Sequence, residues 1–316
     1  MFFIKSIVND KCLVVDTKDG IDEWFHNKDI LSLDIFILGK KDGNLRVVDL
    51  EEVINYQVTL LKLAGITAEI EGTCLKSVSG NLKFFEIPCG VISIGDGCFR
   101  NCALENIVIP STVVSLGGRC FCLCKNLKSI EIPDSVTSIG DWCFTECKSL
   151  KSVKISNSVT SLGSSCFINC KSLKSVKIPD LVTDIEDSCF RSCVNLEKVI
   201  IPDSVTFLGC NCFEGCKSLK SIEIPDSVTY IGDWCFRECE SLKSIKISNS
   251  VTSLRAACFS GCKSLNHIEI PISVTSIGDW CFNDCESLES IEIPDSVISI
   301  GKQCFSGCKN LKFKEY

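Results

Sequence analysis

A dipeptide, Cys-Phe, recurs ten times at an almost constant interval, and this repeat constrains the fold more than any other feature. The interval is 23 residues at every step except the first, which is 22, and a second cysteine follows each first one four residues later. A fixed period of this length is typical of solenoids, in which each unit stacks on the next. The first cysteines of the ten units are Cys98, Cys120, Cys143, Cys166, Cys189, Cys212, Cys235, Cys258, Cys281 and Cys304.

One unit, Leu127 to Ser149, reads L-K-S-I-E-I-P-D-S-V-T-S-I-G-D-W-C-F-T-E-C-K-S. The L-x-x-I-x-I segment predicts a short strand, because side chains alternate along a strand and its two isoleucines then share one face. Pro133 ends the strand, since proline donates no backbone hydrogen bond. The D-W-C-F-x-x-C segment predicts a helical turn with both cysteines on one side.

Each unit carries roughly seven apolar side chains that it cannot bury alone, and stacking solves this. Residues 81–316 are therefore predicted to form an α/β repeat solenoid of ten units. Its parallel β-sheet lies on the concave face, with short strands and helical turns elsewhere. The inward positions after the last unit are Lys314 and Tyr316, which predict a polar C-terminal end.

The unit I-P-D-S-V-T-S-I-G-D-W-C-F-x-x-C-x-S-L-K-S-I closely resembles the BspA-type leucine-rich repeat, over residues 82–313. The resemblance implies a leucine-rich-repeat superhelix and a role in protein recognition. Members of the family include surface proteins, some of which adhere to host proteins or other cells. The resemblance brings no catalytic residues. This chain has cysteine before phenylalanine where alanine is common in the family.

Residues 1–80 do not follow the 23-residue frame and are predicted to be an N-terminal capping region of mixed β and α structure, built from degenerate repeats. Apolar runs separated by turn residues predict one hairpin within residues 1–20 and a second within 33–50. Helical spacing predicts a helix over 51–64. Solenoids need atypical end units to cover their open sheet edges.

The composition and charge of the chain argue against several classes of function. The net charge of −7 gives no broad basic surface for nucleic acid. Polar residues such as Lys5 and Asp10 interrupt the first apolar run, so no secretory signal is expected, and no stretch is apolar enough to span a membrane. The predicted location is the cytoplasm, where thiols stay reduced, with the cell surface as the alternative.

Twenty of the 25 cysteines occupy repeat positions. Buried cysteine behaves as a small apolar group, so a structural ladder is the favoured interpretation. A thiol-based metal or redox site is the alternative, because the spacing fits half of a zinc site. Cys122 and Cys210 fall outside the frame and are predicted to be surface thiols. The ladder is represented by Cys143, Cys147, Cys166, Cys170, Cys189 and Cys193.

The exposed strand positions of the concave face lie two and four residues after each repeat leucine. They are mostly serines and charges of alternating sign, as on any solvated surface. Lys154 and Lys177 form a basic step in this pattern, and Lys198 with Ile200 breaks it. Because affinity usually rests on a few anchor residues, these four are the first candidate binding site.

Exposed aromatic residues form the second candidate site. Phe207 and Tyr230 replace the serine of V-T-S-I in consecutive units, so their side chains are expected to touch, and Trp234 lies one turn away. A contiguous patch of this kind often marks an interface. The alternative is that the tryptophan only shields the edge of the turn.

The sequence contains no recognisable catalytic motif. It predicts a non-enzymatic scaffold that binds another protein, with no cofactor. A surface adhesin and a thiol-rich metal or redox protein are the alternatives. The partner's identity and the oligomeric state stay open.

Overall fold

The computed structural model describes residues 2–8, 11–16, 36–41, 44–48, 67–79, 82–88 and 90–312. Both hairpins expected near the N-terminus are present. Strand β1 (Phe2–Val8) pairs antiparallel with β2 (Lys11–Asp16), and β3 (Phe36–Lys41) pairs antiparallel with β4 (Asn44–Val48).

A third hairpin leads into the solenoid. Strands β5 (Thr67–Glu71) and β6 (Cys74–Ser79) are antiparallel, and β6 then pairs in parallel with the first short strand of the repeats. These residues, assigned to the capping region, therefore extend a sheet of the solenoid. The helix expected at 51–64 and the polar end at Lys314 and Tyr316 lie outside the described residues.

The L-x-x-I-x-I segments form a first parallel sheet, as predicted. In β11 (Ser129–Ile132) the two isoleucines are buried and the residues before each of them are exposed. Neighbouring repeats pair in register, so that Ile130 lies beside Val153. Hydrogen bonding divides the sheet into three groups: β7 (Phe84–Glu86) and β9 (Asn106–Val108); β11, β13 (Ser152–Ile155), β15 (Ser175–Lys177) and β17 (Lys198–Ile200); and β19 (Ser221–Glu223), β21 (Ser244–Lys246) and β23 (His267–Glu269).

The V-T-S-I segments form a second parallel sheet, which the sequence did not predict. Each strand has only two residues, and its isoleucine or leucine points into the core, except in the last strand, where Ile300 is 49% exposed. The longer part of the sheet continues from β5 and β6 through β8 (Ser93–Ile94), β10 (Ser115–Leu116), β12 (Ser138–Ile139), β14 (Ser161–Leu162), β16 (Asp184–Ile185), β18 (Phe207–Leu208) and β20 (Tyr230–Ile231). The shorter part contains β22 (Ser253–Leu254), β24 (Ser276–Ile277) and β25 (Ser299–Ile300).

The predicted helical turn is wrong: none of the described residues is helical. Trp142 and Glu146 have φ of 60° and 63°, whereas every residue of an α-helix has negative φ. With this geometry the amides of Trp142, Phe144 and Glu146 donate to carbonyls of the next coil at 2.7–2.9 Å. The spacing of the two cysteines comes from consecutive turns whose hydrogen bonds run between coils.

Phenylalanines of consecutive repeats stack along the core. The rings from Phe99 to Phe305 lie 5.3–5.6 Å apart, within 8° of parallel. Offset stacking of this kind adds to the free energy of apolar burial. The isoleucines and valines of both sheets and the repeat cysteines surround this column, forming one continuous core.

The glycine that follows most strands of the second sheet allows the backbone of the preceding coil to approach closely. A Cβ added at Gly209 would lie 2.5 Å from the backbone nitrogen of Asp187 on the preceding coil. Glu186 and Arg255 occupy this position in two coils, and there the sheet is weaker. The pairing of β14 with β16 keeps one register pair, and the sheet divides between β20 and β22, just before Arg255.

Candidate functional site

The exposed side of the first sheet brings part of the first candidate site together. Strands β15 and β17 pair in register, so Lys177 lies beside Ile200 and Ser175 lies beside Lys198. Ile200 is 45% exposed, and it is one of three large apolar side chains exposed on this side of the sheet in the described strands, with Phe84 and Val108 at 65% and 80%. Lys154 lies one coil earlier, on β13.

Two of the predicted lysines are paired within the chain. Lys154 is hydrogen-bonded to Glu131 on the preceding coil, and this hydrogen bond and the charge of the glutamate raise the pKa of Lys154. The Lys177 ammonium lies 3.2 Å from an Asp180 carboxylate oxygen. Lys198 has no ion pair with the described residues. The basic step is therefore largely neutralised, which leaves Lys198 and Ile200.

An acidic cavity lies near Ile200, which is not part of its lining, and the sequence did not predict this cavity. Its volume is about 320 Å³, and its lining includes Asp203, Glu223, Asp226 and Lys246. Glu223 follows Ile200 by one coil and pairs in register with Lys246. The sequence does contain a sign of these carboxylates, because every repeat with P-D places an aspartate where its first strand ends. The sequence does not show which of these carboxylates form ion pairs with lysines and which remain unpaired.

The aromatic residues of the second candidate site are partly assembled. The rings of Phe207 and Tyr230 stack at 4.8 Å and 7°, which confirms the predicted contact. The group over the Tyr230 ring is Arg255, at 5.5 Å, which also lies 3.5 Å from Asp233. Trp234 stands on the following turn and is 43% exposed. Phe207 and Tyr230 are half-buried, so the stack presents a small apolar area.

The cysteine ladder lies in the core. All six representative cysteines are fully buried, and burial raises the pKa of Cys147, Cys166, Cys170, Cys189 and Cys193. Thiols held protonated in this way are poor nucleophiles and poor metal ligands. In the part of the chain that the structure describes, no three His, Cys, Asp or Glu residues are arranged to hold a metal ion.

Of the two predicted surface thiols, one is placed wrongly. Cys122 is buried, with 6% of its surface exposed, although Arg100 and Arg191 are exposed at the same repeat position. Cys210 is partly exposed, as expected. Desolvation raises the pKa of both thiols.

The sequence matches a family model described as "BspA type Leucine rich repeat region" in six copies, over residues 68–197 and 183–312. No curated protein matches it. Among the described residues, no helix is long and apolar enough to cross a membrane.

Three solved structures illustrate the likeness. A leucine-rich cell surface protein from Faecalibacterium prausnitzii is 27% identical over 78% of this chain and 93% of its own, with a TM-score of 0.43. A leucine-rich repeat protein of T. pallidum is 22% identical over 78% and 88%, with a TM-score of 0.42. The pneumococcal vaccine antigen PcpA is 18% identical over 78% of both chains, and its TM-score of 0.50 supports the shared fold.

Proposed function

Because the chain belongs to the BspA-type leucine-rich repeat family, we propose that it is a non-enzymatic scaffold that binds another protein through the exposed side of its first sheet. This is the side predicted to be concave. A regular array of coils presents many nearly equivalent positions, and recognition of one partner needs a place where the array changes. The observation that carries the proposal is the exposure of Ile200 near the acidic cavity.

The proposed contact area combines Lys198 and Ile200 with the carboxylates of Asp203, Glu223 and Asp226. An apolar side chain of the partner would cover Ile200, and a basic group would enter the cavity. Buried apolar contacts of this kind supply most of the affinity at an interface, while charges set orientation and the rate of association. Lys154 and Lys177 contribute less, because Glu131 and Asp180 already bind them.

The experiment is affinity capture from native lysate, under reducing conditions, with the wild type and Ile200→Asp compared by mass spectrometry. The proposal expects a discrete set of proteins that the wild type retains and Ile200→Asp loses. Ile298→Asp is the matched control, because Ile298 is 86% exposed just before β25 of the second sheet. Equal capture by wild type and Ile200→Asp would contradict the site.

The proposal also includes the cellular location of the protein and the role of residues 1–80. Nine second-position thiols, from Cys124 to Cys308, donate hydrogen bonds to phenylalanine carbonyls, which requires the reduced form. The cytoplasm, where thiols stay reduced, is the proposed location, and the cell surface is the alternative. Residues 1–80 would act as the cap of the solenoid. Protease treatment of intact cells tests the location, because cleavage would identify a surface adhesin instead.

A further inference from the structure

Residues 125–180 contain a local excess of lysine, although the chain as a whole is acidic. They carry eight lysines, no arginine and five carboxylates, whereas the net charge of the chain is −7. Six of these lysines are exposed and occupy two repeat positions in three consecutive coils, one after the second cysteine and one after the repeat leucine. These six are here called the lysine block: Lys125, Lys148 and Lys171 at the first position, and Lys128, Lys151 and Lys174 at the second.

The backbone holds lysines of consecutive coils side by side. The Lys151 amide donates to the Lys128 carbonyl at 2.8 Å, and the Lys174 amide donates to the Lys151 carbonyl at 3.5 Å. Coils joined in this way lie about 4.8 Å apart. Like charges at neighbouring positions repel one another and raise the local positive potential, so the block attracts anions.

Ion pairs within the chain satisfy only two of the six lysines. The Lys128 ammonium lies 2.6 Å from a carboxylate oxygen of Glu105, and the Lys148 ammonium lies 2.9 Å from one of Glu146. The other four form no ion pair with any residue that the structure describes; they are Lys125, Lys151, Lys171 and Lys174. The block therefore keeps most of its charge, unlike the neighbouring pair Lys154 and Lys177.

Later coils show which anion fits between two lysines of the first position. Glu240 occupies this position one coil after Lys217 and one coil before Lys263. Its carboxylate lies 3.1 Å from the Lys217 ammonium and 3.7 Å from the Lys263 ammonium. In the block the equivalent place belongs to Lys148, which has a lysine on each side. A carboxylate supplied from outside the chain would restore the arrangement that Glu240 provides.

From this comparison we propose that the lysine block binds an acidic segment of a partner protein, rich in glutamate or aspartate. Carboxylates of the segment would lie beside the four unpaired lysines, as Glu240 lies beside its two. One exposed ion pair contributes little, so binding needs several carboxylates in sequence. None of the six lysines belongs to the contact area proposed around Ile200, and the inference therefore does not rest on the proposed function.

The test is a titration of the full chain into a fluorescein-labelled peptide of repeated Glu-Ser units, followed by fluorescence anisotropy. The control peptide replaces each glutamate by glutamine, which keeps the size and removes the charge. The block predicts saturable binding of the glutamate peptide, at least about fivefold weaker binding of the glutamine peptide, and an affinity that falls as salt is added. Equal binding of the two peptides would overturn the proposal. No binding of the glutamate peptide would also overturn it, even if heparin, a sulfated polysaccharide, binds.

A charge reversal in the block locates the binding. Lys148→Glu places a carboxylate between Lys125 and Lys171, and it should weaken binding of the glutamate peptide at least about fivefold because it supplies the missing anion internally. The matched control is Lys302→Glu, an exposed position outside the block with the same change in net charge, which should bind like the wild type. Equal binding by the two variants would reject the block as the site.

The reverse substitution should create a second site. Glu240→Lys removes the carboxylate between Lys217 and Lys263 and gives these coils the charge pattern of the block. It should raise the number of glutamate peptides bound per chain from one to two. An unchanged stoichiometry would contradict the comparison from which the proposal was drawn.

Discussion

The thiol of Cys147 donates a hydrogen bond to the backbone carbonyl of Phe121 on the preceding coil, at 3.1 Å. The same carbonyl also accepts the amide of Cys124, at 3.0 Å. Its second lone pair lies in the core, where an unsatisfied polar atom is costly. The contact repeats along the solenoid, and it explains why the second position of the repeat is cysteine and not merely a small apolar residue.

Replacement of one of these thiols should cost measurable stability. Cys170→Ala removes the hydrogen bond to the Phe144 carbonyl and leaves a small void. We expect the free energy of unfolding to fall by about 1–2 kcal/mol. Urea denaturation provides the measurement, and Cys210→Ala, at a partly exposed position, is the control. A Cys170→Ala variant as stable as the control would contradict the role assigned to the thiol.

The cysteines should differ in how readily iodoacetamide alkylates them. Desolvation raises the pKa of the partly exposed Cys210 thiol, and it brings the pKa of the buried Cys193 and Cys262 thiols to about 12. Because the thiolate reacts, Cys210 should be labelled by iodoacetamide in the folded protein as the pH is raised. Cys193 and Cys262 should be labelled only after unfolding. Peptide mapping by mass spectrometry gives the order, and early labelling of Cys193 would disprove it.

Relief of backbone strain should stabilise the turns. Ser192 has φ of 59°, and glycine occupies the same repeat position at Gly215, Gly261 and Gly307. Ser192→Gly should raise the free energy of unfolding by about 1 kcal/mol, because a left-handed conformation penalises any residue with a Cβ. The matched control is Ser175→Gly in strand β15, which should lower stability instead. Thermal denaturation distinguishes the two, and a destabilised Ser192→Gly would refute the strain argument.

Ion pairs that connect three coils through one buried glutamate should contribute more to the free energy of unfolding than exposed ion pairs do. Glu214 is 7% exposed and lies 2.8 Å from the Arg191 Nε and 3.5 Å from the Arg237 Nη1. Glu214→Gln should lower the free energy of unfolding by about 1–3 kcal/mol, since it leaves two cations without their shared partner. Glu131→Gln, which breaks an exposed pair with Lys154, should have no measurable effect in the same denaturation experiment. Equal losses of stability in the two variants would show that the burial of Glu214 does not strengthen its ion pairs.

Much of the fold could be predicted because the repeat imposes it. Every 23-residue unit must bury the same side chains against its neighbours, so Ile130, Ile132 and the six representative ladder cysteines were assigned correctly to the core. The second sheet was missed because its strands have two residues, too few to show alternation. The helical turn was wrong because Trp142 and Glu146 are not residue types that mark a left-handed conformation, and the glycines at the Glu146 position of other repeats, Gly215, Gly261 and Gly307, were not used as the sign of it.

The candidate sites were less predictable, because their properties depend on contacts between coils. Lys154 and Lys177 read as a basic step, yet Glu131 and Asp180 neutralise them. Phe207 and Tyr230 were expected to touch because equivalent positions stack, and they do. That Arg255 would cover Tyr230 was not visible in the sequence, since a guanidinium's direction is set by neighbouring coils.

The sequence alone determined the period, the buried positions and the family, because ten repetitions of one apolar pattern admit only a stack of identical coils. Tertiary structure decided the conformation of the turns and the state of the surface. Hydrogen bonds between coils hold the turns in left-handed conformations that a single unit would avoid. Ion pairs across coils decide which charges are already satisfied, and therefore which side chains are left to meet a partner.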